Sequence, residues 1–191
     1  MNDKIFYNNK GAEFSAKGKY NEAEKYFKLA LELAPDDCFI LYNIGFVFLK
    51  KGDKKEFKKW FELALDNAGN SLKGALALDC GLSCFDAALY KEAEKYYDIA
   101  FPLLCAKSGR GDKRKAAAQK GACAEYWNRV GVLSFVTGKY MKAKECFEKA
   151  VSLRPDYADA LYNLADTYDE LGMPEKAGEA REKYSALPGA Q

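Results

Sequence analysis

One stretch of this sequence occurs four times at near-regular spacing, and no other feature restricts the fold as strongly. The segment GKYNEAEKYFKLALELAPD at 18–36 returns as ALYKEAEKYYDIAFPLLC at 88–105, as GKYMKAKECFEKAVSLRPD at 138–156 and, more weakly, as GDKKEFKKWFELALDNAG at 52–69. Between the copies run apolar-periodic segments, each carrying one small residue at the same offset. These are Gly11, Gly45, Gly81, Gly131 and Ala165, separated by 34, 36, 50 and 34 residues. A period in this range implies stacked supersecondary units, because a unit too small to bury its own apolar face must cover it with a neighbour.

The pattern resembles the tetratricopeptide repeat family, whose roughly 34-residue unit is a pair of antiparallel helices with small and aromatic residues at fixed offsets. The resemblance covers nearly the whole chain and implies an all-α fold, a right-handed α-solenoid of antiparallel helix pairs. Five units can be laid out at 4–37, 38–71, 74–107, 124–157 and 158–191, as a single array with an insert at 108–123. The offsets also make physical sense by themselves. Small residues on the first helix of each unit are expected to face Ala23, Ala93, Ala143 and Ala177, with Ala30, Ala64, Ala100 and Ala150, so that two helices approach closely. The rings Phe27, Phe61, Tyr97 and Phe147 fill the space beside them. Gly18, Gly52, Gly138 and Gly172 fall at the turn between paired helices, where a left-handed residue is needed, and Ala88 is the exception. Asp53 with Glu56, and Asp156 with Asp159, read as helix-start capping pairs. In the last unit Arg181 stands where a ring is expected, which suits a capping helix with a polar outer face.

Composition narrows the chemistry. With 30 Lys and Arg against 28 Asp and Glu, the net charge of +2 is too balanced for whole-molecule attraction to nucleic acid or an anionic membrane. No stretch approaches the roughly 18 apolar residues of a membrane span, and no apolar run follows the first charges, so a cytoplasmic location is expected. Histidine is absent, which removes the commonest general base and metal ligand together. No cofactor and no metal are expected. The six cysteines, Cys38, Cys80, Cys84, Cys105, Cys123 and Cys146, are scattered, and on that spacing all six are expected to be free thiols. Cys80 and Cys84, one helical turn apart, are the pair a thiol enzyme or metal site would use, but they lack a cationic neighbour and read as small buried hydrophobes.

The insert, SGRGDKRKAAAQKGAC, carries Arg110, Lys113, Arg114, Lys115 and Lys120 against Asp112 alone. From Asp112 onward it is rich in helix formers, so a lengthened helix is expected from about residue 112 to Thr137, extending the first helix of the fourth unit.

In the family this chain resembles, the first helices line a concave groove, and the resemblance assigns positions along it. They are Asn9 in the first unit, Phe39, Tyr42, Asn43 and Phe46 in the second, and Leu82 and Phe85 in the third. The fourth contributes Asn128, Arg129, Val132 and Phe135, and the fifth Tyr162, Asn163, Asp166 and Asp169. Leu49 falls at a further lining position. The groove is then polar at one end, apolar and aromatic in the middle and acidic at the other, and an apolar patch of this kind marks a binding surface. The asparagines Asn9, Asn43 and Asn163 could grip the main chain of an extended peptide, since an amide both donates and accepts. Arg129 has Glu125 four residues earlier as an alternative partner. Members of the family that clamp a chaperone's C-terminal carboxylate use Lys, Asn and Arg at set positions, and of these only Asn43 is present, so such a partner is disfavoured.

The expected function is a non-catalytic protein-protein interaction module, a scaffold or adaptor that binds a peptide or partner helix in its groove. The expected partner has apolar anchors beside basic residues, since the fifth unit carries seven acids against three cations. The alternative is contact with nucleic acid or an anionic surface through the basic insert. Self-association is compatible with solenoid ends.

Overall fold

The computed structural model describes residues 3–105 and 113–188. Among them are ten helices and no strand: α1 (Asp3–Ala16), α2 (Tyr20–Leu33), α3 (Cys38–Lys50), α4 (Lys54–Asn67), α5 (Asn70–Asp86), α6 (Tyr90–Leu104), α7 (Lys113–Val136), α8 (Tyr140–Leu153), α9 (Ala158–Glu170) and α10 (Pro174–Ser185). The chain is all-α, as expected. None of the described helices is long and apolar enough to cross a membrane. The chain divides into two compact units, Met1–Tyr96 and Tyr97–Gln191, with the division inside α6.

In the first unit α1 packs on α2, and α3 on α4. The residue at the turn between the paired helices takes a left-handed backbone, Gly18 at φ 71° and Gly52 at φ 78°. Ala88 takes the same conformation at φ 56° without glycine's freedom, a local strain that its place in the turn imposes. One core gathers Ala23, Phe27, Ala30, Ile40, Ile44 and Val47, flanked by Tyr7, Phe14, Tyr20 and Trp60. The small first-helix residues have a more specific task than facing alanines. A Cβ placed on Gly11 would lie 2.5 Å from Cδ1 of Phe27, and one on Gly45 would meet Phe61 in the same way, so each glycine is a notch that seats a ring. Phe57 is fully buried and sets its edge against Phe61, with centroids 5.8 Å apart.

Helix starts show where the capping expectation holds. The Asp53 carboxylate accepts from the backbone N–H of Lys55 (3.2 Å) and Glu56 (3.0 Å), but Glu56 does not complete the box, because its carboxylate accepts from Trp60 Nε1 at 3.1 Å. Asp37, unremarked in the sequence, caps α3 through the N–H groups of Phe39 and Ile40 and takes a 2.9 Å bond from Lys4 Nζ. In the second unit the expected Asp156 and Asp159 pair does not form. The N-cap of α9 is Tyr157, with no side-chain cap, so Asp156 stands one residue too early to reach the free N–H groups. Tyr157 is instead held by its ring, on which the Arg154 guanidinium stacks at 3.3 Å.

The second unit contains α7 to α10 and the last part of α6. α7 runs Lys113–Val136, so residues 113–123 of the insert are helical, while 108–112 lie outside the described residues. Gly131 repeats the notch, where an added Cβ would be 2.5 Å from Cε1 of Phe147. Phe147 anchors a core with Ala143, Leu164, Ala165, Tyr168, Ala177 and Ala180.

The expectation of six free thiols is overturned: Cys105 and Cys123 form a disulfide, with Cα atoms 5.1 Å apart. Spacing along the chain misled because the two residues are 18 positions apart and only the return of α7 past the end of α6 joins them. Cys38, Cys80, Cys84 and Cys146 are free and buried. Burial pushes the Cys84 thiol up to about 12 and Cys146 up to about 11, with Cys80 raised further, so these thiols stay protonated and inert.

Candidate peptide-binding clefts

Each unit carries a cleft on its first-helix side. In the first unit α1 supplies Ala12, Ser15 and Ala16, α3 supplies Tyr42, Asn43 and Phe46, and Tyr20 and Phe27 of α2 close the floor around a volume of ≈ 360 Å³. The space exists because three successive lining positions of α1 carry side chains no larger than serine, opposite two large rings. Tyr42 is not a free anchor: its ring stacks on Phe61 at 5.3 Å and its hydroxyl is 2.8 Å from Ser83 Oγ, and burial, outweighing the lowering effect of the Ser83 bond, pushes its phenol up to about 12. Phe46 is half-buried, and the Lys50 ammonium sits 5.2 Å from its ring centroid. A second cleft of ≈ 290 Å³ is lined by Lys4, Ile5, Asn8, Asp37, Phe39 and Ile40, with Phe39 52% exposed.

In the second unit Val132 and Phe135 of α7 meet Asn163 and Asp166 of α9 around a smaller hollow of ≈ 50 Å³ floored by Phe147. Val132 and Phe135 also pack against the core, and Phe135 sets its edge on Tyr140 at 5.2 Å. Leu82 and Phe85, on α5, are half-buried, and Phe85 leans on Tyr90 at 5.6 Å. Leu49 departs from the groove assignment, since it is only 5% exposed and belongs to the core.

The asparagines are tied to one another. Asn43 Nδ2 donates to Asn8 Oδ1 at 3.0 Å, and Asn163 Nδ2 donates to Asn128 Oδ1 at 3.2 Å, so each fastens one first helix to the preceding one. Asn128 is buried and donates to the Tyr157 hydroxyl at 3.4 Å. Asn9 is exposed. These bonds between side chains thirty-odd residues apart were not readable from an asparagine's position, although the recurrence of Asn at that offset was their visible trace.

Charges are paired as well. Arg129 donates to Glu125 Oε1 from Nε (3.2 Å) and Nη2 (2.6 Å), the within-helix alternative noted in the sequence. Arg181, on α10, reaches the Asp169 carboxylate and comes within 3.8 Å of Asp166. The acidic end of the expected groove is thus partly neutralised by a residue assigned to an outer face. Asp159 and Glu170 remain exposed, and Tyr162, 55% exposed, meets Tyr184 edge-on at 6.0 Å. Among the described residues, no group of three His, Cys, Asp or Glu side chains is placed to hold a metal ion.

Comparison with known proteins places this architecture. Models of the tetratricopeptide repeat match residues 5–37 and 40–71, and a TPR repeat model matches 135–172, together more than half of the chain. An uncharacterised protein, ycf37 of Pyropia yezoensis, is 34% identical over 64 residues, which are 34% of this chain and 36% of that protein. The match therefore spans about a third of that relative's length. Among solved structures, PilF of Pseudomonas aeruginosa superposes with a TM-score of 0.68 at 18% identity, over 98% of this chain and 77% of its own. MamA of Desulfovibrio magneticus RS-1 does so with a TM-score of 0.65 at 20% identity, over 97% and 94%. At such identities these likenesses speak for the fold alone. The repeat matches and the glycine notches that seat a ring in α1, α3 and α7 agree: this chain belongs to the tetratricopeptide repeat family.

Proposed function

We propose that this protein is a non-catalytic interaction module of five repeats that holds a segment of a partner protein against its first helices. The observation that carries the reading is the cleft between α1 and α3, roomy, largely apolar and walled by Ala12, Ala16 and Phe46. Clefts of this size take a large apolar side chain, and buried anchors of that kind dominate binding energy. Asn43 has a second amide proton and a carbonyl oxygen beyond its bond to Asn8, and can meet a peptide's main chain in either polarity. In the second unit Asp159 and Glu170, rather than Asp166 and Asp169, supply the attraction for a partner's basic residues, because Arg181 already sits on the latter pair.

Selection from a random peptide display library on the intact chain tests this. Enriched peptides should carry a large apolar residue, and their affinity should fall about tenfold or more in Ala12→Arg and in Phe46→Ala, with the helical circular dichroism unchanged. Peptides whose affinity ignores both substitutions would place the binding surface elsewhere.

A further inference from the structure

The geometry of the cysteines points to a second property that does not depend on the groove. We propose that the Cys105–Cys123 disulfide is a reversible redox latch on the first turns of α7, opened by thiol–disulfide exchange with a dithiol reductant.

The chain separates its cysteines into two kinds. Cys38, Cys80, Cys84 and Cys146 are buried thiols inside the helix cores. Cys105 and Cys123 are only half-buried and are joined, one just past the end of α6 and the other within α7. An attacking thiolate can therefore reach the bonded pair and not the other four.

The bond also sits at a mechanical boundary. From Arg114 to Cys123 no side chain is buried, and Gly121, whose missing Cβ would meet nothing within 4 Å, weakens the helix further. Core packing begins with Ala124 and continues through Tyr126, Asn128 and Val130. Phe101 of α6 meets Tyr126 at 5.3 Å and Trp127 at 5.6 Å, so the end of α6 keeps its hold on the packed part of α7 without the disulfide. Breaking the S–S bond removes the covalent tie between the end of α6 and these ill-buried turns, while the ring contacts keep the packed part of α7 in place, so the opening is local rather than global.

The exchange balances without any further reactant. One thiolate of the dithiol attacks a sulfur of the pair and displaces the other as a thiolate. The second thiol of the reductant then attacks the mixed disulfide and releases the first cysteine. The reductant leaves as its own cyclic disulfide, two electrons have passed to the protein, and two protons end on Cys105 and Cys123.

The test uses the full chain with dithiothreitol and no denaturant, followed by alkylation mapped by mass spectrometry and by hydrogen exchange. Alkylation is expected at Cys105 and Cys123, with the four buried thiols protected. Amides of residues 114–122 should exchange about tenfold faster or more after reduction, and those of α8 to α10 within about twofold of their former rates. Oxidised dithiothreitol should restore the slow exchange. A double variant, Cys105→Ser with Cys123→Ser, should show the fast exchange with no reductant and keep its helical circular dichroism. A bond that yields only when the protein is unfolded, exchange at 114–122 that ignores reduction, or a double variant that does not fold would each overturn the proposal.

Discussion

Two helix hairpins of the second unit, α7 with α8 and α9 with α10, follow one plan with two linked exchanges. In the first, Gly131 makes a notch and Phe147 fills it. In the second, the small residue is Ala165 and the place of the ring is taken by Arg181, whose guanidinium leaves the interior for Asp166 and Asp169. Glycine and ring therefore go together. The close approach of a ring forbids a Cβ, and where no ring arrives a methyl group is accommodated. Burial sets the energies apart: Phe147 is 1% exposed, whereas the Arg181 side chain is 53% exposed and its ion pairs are screened by water.

The comparison can be broken most forcefully at the ring. Phe147→Ala should destabilise by ~3–5 kcal/mol, the transfer of a phenyl group plus the cavity it leaves, in chemical denaturation followed by circular dichroism. A loss under about 1 kcal/mol would show that the ring is not the keystone of this hairpin. Next comes the notch. Gly131→Leu should cost ~3 kcal/mol, near the upper end for overpacking, because a bulky group would meet a ring that cannot withdraw. A melting transition equal to the parent's would remove Gly131 from the close contact. At the matching position Ala165→Gly should cost only ~1 kcal/mol, a propensity effect without strain, so the two substitutions differ in mechanism as well as size. Arg181→Ala should leave the melting temperature within experimental scatter, and a large drop would mean that the guanidinium holds α10 in place.

Capping offers a comparison between the units. Asp37 starts α3 with two backbone bonds and the Lys4 ion pair, while Tyr157 starts α9 with none of these. Partial burial alone would raise the Asp37 pKa, but the Lys4 ammonium and the N–H groups of Ile40 and Phe39 outweigh it and hold the carboxyl below its ordinary value. A depressed folded pKa means that this stabilisation is complete above the unfolded pKa of about 4 and is lost as pH falls through the lower folded value. Asp37→Ala should then cost ~1 kcal/mol at neutral pH, with the gap to the parent closing in acid below about pH 4. A gap that stays constant into acid would show that the carboxylate's charge has no part in it.

Much of this was legible in the chain itself. The recurrence of GKY and EAEKYF segments, the small residue at each matching offset and the turn glycines are local or periodic features, and each constrains backbone geometry within a few residues of itself. They suffice for helices, turns and the family. Ala88 reads in the sequence as the exception among the turn glycines, yet it takes the same positive φ, because the turn's geometry overrides the preference of the residue placed in it.

Other features depended on what lies across a gap in sequence. Nothing in the position of Cys105 or Cys123 says that α7 returns to within 5.1 Å of the end of α6, and a bond needs that proximity rather than a spacing. Leu49 reads as a groove residue in the repeat frame but is buried, because the neighbours that cover a side chain come from other helices. Asn43 with Asn8, Asn163 with Asn128, and Arg181 with Asp169 and Asp166 were settled alike. Periodicity sets which way a side chain points, whereas its partner is set by distance in three dimensions, and that only the packed helices supply.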